Sequence, residues 1–74
     1  MIKFEEGKIY LAKLSGEVRE EVEIIKRTPK FATVKYWGKT KKVSIKEEKD
    51  KHGILCEYLL ILWEGVYATD KKEV

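Results

Sequence analysis

The chain has 74 residues, 43% of them hydrophobic and 39% charged, with 16 Lys and Arg against 13 Asp and Glu for a net charge of +3. A domain of this size hides roughly 60% of the surface its unfolded chain would expose, which leaves no room for a nucleotide-binding α/β fold, a TIM barrel or an active site between two domains. One domain is expected over residues 1–69, followed by a frayed tail at 70–74.

Val, Ile and Thr supply 17 residues and aromatics eight, a composition that favours strands. The first predicted strand covers residues 8–14, where Ile9 and Leu11 alternate against polar neighbours, and Ser15-Gly16-Glu17 makes the turn. The second covers 18–28, with Val22 and Ile24 on one face and Glu21 and Glu23 on the other. Ile25 breaks that alternation and predicts a bulge, the device that bends a strand around the corner of a small barrel. Thr28-Pro29-Lys30 is the next turn, since proline cannot donate within a central strand.

Residues 31–37 and 40–48 read as a hairpin around Gly38-Lys39, a type II′ loop with glycine in its first position. This register sets Val34 against Val43 and Ala32 against Ile45 on a core face, and Lys35 against Lys42 on the outer face. A polar loop follows at 49–53. Residues 54–62 form a fifth, apolar segment, readable as a strand or a short helix, before a turn at Glu64-Gly65 and a short closing strand at 66–68. The five glycines all fall at predicted turns. The expected core holds Ile9, Leu11, Ile24, Val34, Val43 and Ile45. Five short strands with tight turns predict a mainly β fold, a small five-stranded SH3-like β-barrel, with an OB-like barrel as the alternative.

The elements in turn resemble a group of proteins. Phe4 precedes Gly7-Lys8-Ile9-Tyr10; Arg27-Thr28-Pro29-Lys30-Phe31-Ala32-Thr33-Val34 follows; then come Gly38-Lys39 with Ile45, Glu57-Tyr58, and Gly65-Val66-Tyr67-Ala68. Together they resemble small uncharacterised SH3-like β-barrel proteins encoded by phages and mobile elements of Gram-positive bacteria. This resemblance implies the fold and a phage-like provenance, and it implies no activity. The chain departs from the group's pattern at Ser15-Gly16-Glu17, where a Cys-Asp pair is common, and in the strongly apolar Leu59-Leu60-Ile61-Leu62.

Catalytic machinery is sparse. His52 and Cys56 are the only histidine and thiol. A Cys-His pair would need both within hydrogen-bond reach and a third group, such as Asp50, to orient the imidazole. Cys56 lies in an apolar run, where an inert buried thiol is the ordinary outcome, so no enzyme activity is expected. One Cys and one His cannot complete a four-ligand zinc shell, and Glu47, Glu48 and Asp50 lack the spacing and glycine of a calcium loop. No phosphate-binding glycine motif occurs, so no metal and no cofactor are expected. A lone cysteine cannot form an internal disulfide, which points to a reducing cytoplasm. The N-terminus lacks an apolar signal segment. The longest apolar run, residues 58–63, falls far short of the roughly 20 residues of a membrane span, so no membrane association is expected.

The charge is segregated. Residues 26–51 hold ten basic and three acidic side chains, while the flanking thirds are each net −2. Such an island attracts nucleic acid or an acidic protein face. The candidate binding set is Lys26, Arg27, Lys30, Lys35, Trp37, Lys39, Lys42 and Lys46, with Trp37 as a stacking platform. The expected function is therefore a binding module for a polyanion, nucleic acid first. The alternative is a phage-encoded inhibitor or adaptor that binds an acidic or nucleic-acid-binding surface of a host protein. The bland reading is a lysine-rich face that only prevents edge aggregation. A separate self-association surface, Tyr58, Leu60, Leu62 and Trp63, would make a homodimer.

Overall fold

The computed structural model describes residues 1–14, 18–61 and 64–72. Seven strands follow in order: β1 (Ile9–Leu14), β2 (Val18–Arg27), β3 (Phe31–Tyr36), β4 (Lys39–Ser44), β5 (Lys46–Lys49), β6 (Leu55–Ile61) and β7 (Glu64–Tyr67). They build two antiparallel sheets, β1-β2-β3-β4 and β5-β6-β7. No helix occurs among the described residues, and none is therefore long and apolar enough to cross a membrane.

The mainly β expectation is met, while the arrangement differs from five strands in one closed barrel. The chain bends at Ile45, passing from β4 into β5 and so from one sheet to the other. On the opposite flank the isolated bridge Tyr10↔Lys71 ties β1 to the segment that follows β7, and no ladder among the described residues runs from one sheet to the other. Residues 54–62 resolve in favour of strand, as β6. Residues of the expected tail are hydrogen-bonded to β1: Leu11 N–H donates to Asp70 O at 2.9 Å and Lys72 N–H to Ile9 O at 2.8 Å. The turn expected at Ser15-Gly16-Glu17 lies outside the described residues.

One core lies between the sheets. Val22, Ile24, Val34 and Val43 face it from the larger sheet, and Leu59, Ile61 and Val66 from the smaller. Ile45 packs half-buried against it. β1 faces the other way from the sequence reading: Tyr10 and Ala12 are buried, and Ile9 and Leu11 lie half-buried outside. Tyr10 can occupy the interior because its ring meets Phe4 edge-on at 4.8 Å and its hydroxyl accepts the Glu5 N–H at 2.8 Å. A buried tyrosine with its polar tip satisfied contributes more apolar area than an isoleucine in the same place.

The bulge falls where the alternation failed. Ile24 pairs with Val34 and Lys26 with Thr33, leaving Ile25 as the extra residue, 44% exposed. An extra residue inverts the side-chain parity of everything after it. Arg27, not Lys26, therefore points inward, opposite buried Ala32.

Gly65 is not in a turn. It pairs with Leu60 in the β6–β7 ladder, and the Tyr58 ring lies over it, so that a Cβ there would stand 2.0 Å from Tyr58 Cε1. A glycine in a strand at a point of close approach is a known structural use.

Candidate anion-binding edge

The β3–β4 hairpin turns one residue earlier than the glycine position suggested. Tyr36 pairs with Lys39, so the loop is Trp37-Gly38, with φ of 51° and 71°. Positive φ at both central residues marks a type I′ turn, whose twist matches that of the flanking strands and which normally takes Asn-Gly. Trp37 thus holds a left-handed conformation that costs a bulky residue on the order of 1–3 kcal/mol. Its indole is 54% exposed and 6.0 Å from the Tyr36 ring.

This turn shifts each cross-strand partner by two residues and so preserves the faces while changing the pairs. Lys35 lies opposite Thr40, not Lys42, and on its other side opposite Glu23 of β2. Lys42 pairs with Thr33, and its Nζ sits 4.6 Å from the centre of the Phe31 ring. The opposed lysine pair expected from the sequence does not form.

The remaining candidates disperse. Lys26 and Lys30 are exposed, the latter in a turn pinned by Thr28 Oγ1, which accepts the Phe31 N–H at 3.0 Å. Lys39 is exposed on β4. Lys46 leaves the hairpin altogether: it belongs to β5 and pairs with Tyr58 in the smaller sheet. Arg27 is engaged internally. It forks onto Glu57, with Nη1 to Oε1 and Nη2 to Oε2 at 2.8 Å, and Nη1 also donates to Phe4 O at 2.8 Å. Phe4 N–H donates to Glu57 Oε1 at 2.7 Å. Burial pushes the Glu57 carboxyl up, but the Arg27 and Phe4 bonds outweigh it and hold the group below the usual carboxylate range. The Glu57 hydrogen bond in turn holds Arg27 above its ordinary value. Arg27 thus ties β2 of one sheet to β6 of the other.

Lys41 joins the candidate set in its place. Strand parity assigned it to the core side, opposite Val34, yet it is exposed. β4 is the last strand of its sheet, and its core-side positions between the turn and Val43, Lys39 and Lys41, are exposed. Only an edge position for β4 could have signalled this. Lys39, Lys41 and Lys42 take part in no ion pair among the described residues. A small groove of about 230 Å³ runs beside the hairpin tip, with Trp37 and Lys35 among its lining and Glu20, Glu21 and Glu23 as an acidic side.

Elsewhere, a groove of about 650 Å³ lies over the smaller sheet, lined by Tyr58, Gly65, Tyr67 and the turn at 49–54. The Tyr58 and Tyr67 rings are 5.0 Å apart. Asp50 braces that turn, accepting the His52 and Ile54 N–H groups and the Thr69 hydroxyl, each at 2.9 Å. These bonds, led by the one from Ile54, hold its carboxyl below the usual range. Of the self-association set, Tyr58 is half-buried and Leu60 is 47% exposed, while Leu62 and Trp63 lie outside the described residues. His52 is exposed in its turn and Cys56 is fully buried on β6. No cluster of three or more potential metal ligands occurs among the described residues.

No protein-family model matches the chain, and neither a curated protein nor a solved structure does.

Proposed function

We propose that this protein is a non-enzymatic, SH3-like β module of a reducing compartment that binds nucleic acid along the open β4 edge of its hairpin. The observation that carries the reading is the edge itself. Three exposed lysines, Lys39 and Lys41 on one face and Lys42 on the other, lie along an unpaired strand edge without a carboxylate partner among the described residues. Alternate residues of a strand are about 7 Å apart, so Lys39 and Lys41 can meet successive phosphates of an extended backbone. An exposed indole stands at the tip. The barrel-like fold is supported by the bend at Ile45 and the Tyr10↔Lys71 bridge, which bring the two sheets around one core.

The test is fluorescence anisotropy of labelled random DNA and RNA across a salt series. Three lysine–phosphate contacts give a log–log slope near −2 on a single strand, at about 0.7 per contact. Absence of binding at low salt would overturn the reading. A second reading draws on the acidic Glu20, Glu21 and Glu23 beside Trp37: a mixed-charge surface with a protruding tryptophan also suits an inhibitor or adaptor of a host protein. Tight binding to one protein with little salt dependence would favour it.

A further inference from the structure

The β4 lysines account for attraction to any polyanion, but they do not account for Trp37. A two-residue type I′ turn is satisfied at least strain by Asn-Gly, and asparagine enters the left-handed region far more readily than a bulky aromatic. Here the first position holds Trp, at φ 51°, with more than half its surface exposed. The indole offers the core almost nothing in return. Tyr36, its nearest ring, is already buried and lies 6.0 Å away at an interplanar angle of 60°. A side chain held in a costly backbone conformation without packing gain is the pattern of a group kept for contact with something else.

The surroundings say which contact. On one side of the tip run Lys39 and Lys41; on the other lies the groove with Glu20, Glu23 and Glu21, the last of them paired with Lys72. A phosphate backbone is drawn to the first side and repelled from the second. Between them stands a flat π surface that a base can reach only when it is not stacked in a duplex. Resting on the nucleic-acid reading above, we infer that Trp37 stacks on one unpaired base, so that the ligand is single-stranded nucleic acid whose phosphates follow Lys39 and Lys41.

The experiment compares a labelled single-stranded oligonucleotide with a duplex of the same sequence, using the parent, Trp37→Asn and Lys41→Glu. The parent should prefer the single strand. Trp37→Asn should melt at the same temperature as the parent or higher, lose roughly tenfold or more in single-strand affinity, and keep its salt slope and duplex affinity. Lys41→Glu should weaken both ligands and flatten the slope. Equal binding of single strand and duplex, or a Trp37→Asn variant that binds like the parent, overturns the stacking inference and leaves the basic-edge reading standing. A Trp37→Asn variant that melts well below the parent also overturns it, because the indole would then be a packing residue. If the parent binds neither oligonucleotide, the underlying reading falls with it.

Discussion

Arg27 and Glu57, on strands of different sheets, form a forked ion pair with the Phe4 backbone closing its remaining bonds. The pair exists because the bulge at Ile25 turns Arg27 toward the interior and sends Lys26 out. Glu57 is only 4% exposed, so neither partner can lose the other without leaving a charge in a poorly hydrated place.

Removing one partner should therefore be severe. Arg27→Met should cost about 3–5 kcal/mol, the usual range for stranding a buried charge, because it leaves the buried Glu57 carboxylate without its cation. Adding Glu57→Gln to that variant should recover part of the loss, since the amide oxygen still accepts the Phe4 N–H while the stranded charge is gone. Urea unfolding of the two single variants and the double variant measures the coupling.

Acid should destabilise the protein through the same pair. Glu57 sits below the usual range despite burial; Glu5 is lowered by its Lys71 hydrogen bond, and Asp50 by the Ile54 N–H first of all. Each carboxyl binds its proton less tightly when folded than when unfolded. The stabilisation is then fully present above the ordinary carboxylate range and is lost as pH falls below about 4. Melting temperature should drop steeply from pH 5 to pH 2, roughly the window set by depressed carboxylates, and less steeply in Glu57→Gln. An equal slope in the two proteins would assign the acid sensitivity to other groups.

Gly65→Ala should be felt at Tyr58. The new methyl would stand 2.0 Å from Cε1 and 2.6 Å from Cζ, so the ring must swing away from its place near Tyr67. Overpacking of this kind costs about 1–3 kcal/mol. Ring-current shifts on the Tyr58 and Tyr67 resonances should change together, which a loss of stability alone would not produce.

The hairpin register can be read from charge reversal. Lys35→Glu places a carboxylate directly opposite Glu23, and like charges in that relation destabilise a sheet by about 0.2–1 kcal/mol. In the observed hairpin Lys35 faces neutral Thr40 on its other side, so nothing offsets that loss, whereas a turn at Gly38-Lys39 would set the new carboxylate opposite Lys42 and offset it. Lys41→Glu, opposite Val34 at an open edge, should change stability by less than about 0.5 kcal/mol while reducing nucleic-acid affinity. Thermal melts paired with anisotropy separate the two effects.

Periodicity and composition sufficed for the strand content, the bulge at Ile25, the core face of Val34 and Val43, and the basic character of the middle third. These are local properties: side-chain alternation follows from the pleat, and a bulge announces itself by breaking it. The turn residue was misread because Gly-Lys after Trp is the better local match, while the pairing of two strands is decided along their whole length. Tyr10 and Ala12 likewise displaced Ile9 and Leu11 from the interior, because the larger ring could be buried with its hydroxyl satisfied.

The sequence by itself determined that this is a small β protein with an acidic–basic–acidic charge order, one histidine and one cysteine. Only the tertiary structure decided which cations are engaged within the fold and which stand in solvent. Parity after the bulge sent Arg27 to Glu57, the bend at Ile45 carried Lys46 into the other sheet, and the end of the sheet at β4 left Lys41 in solvent. Charge is counted along the chain, but its availability depends on what lies across the next strand, and that neighbour is set by folding rather than by sequence order.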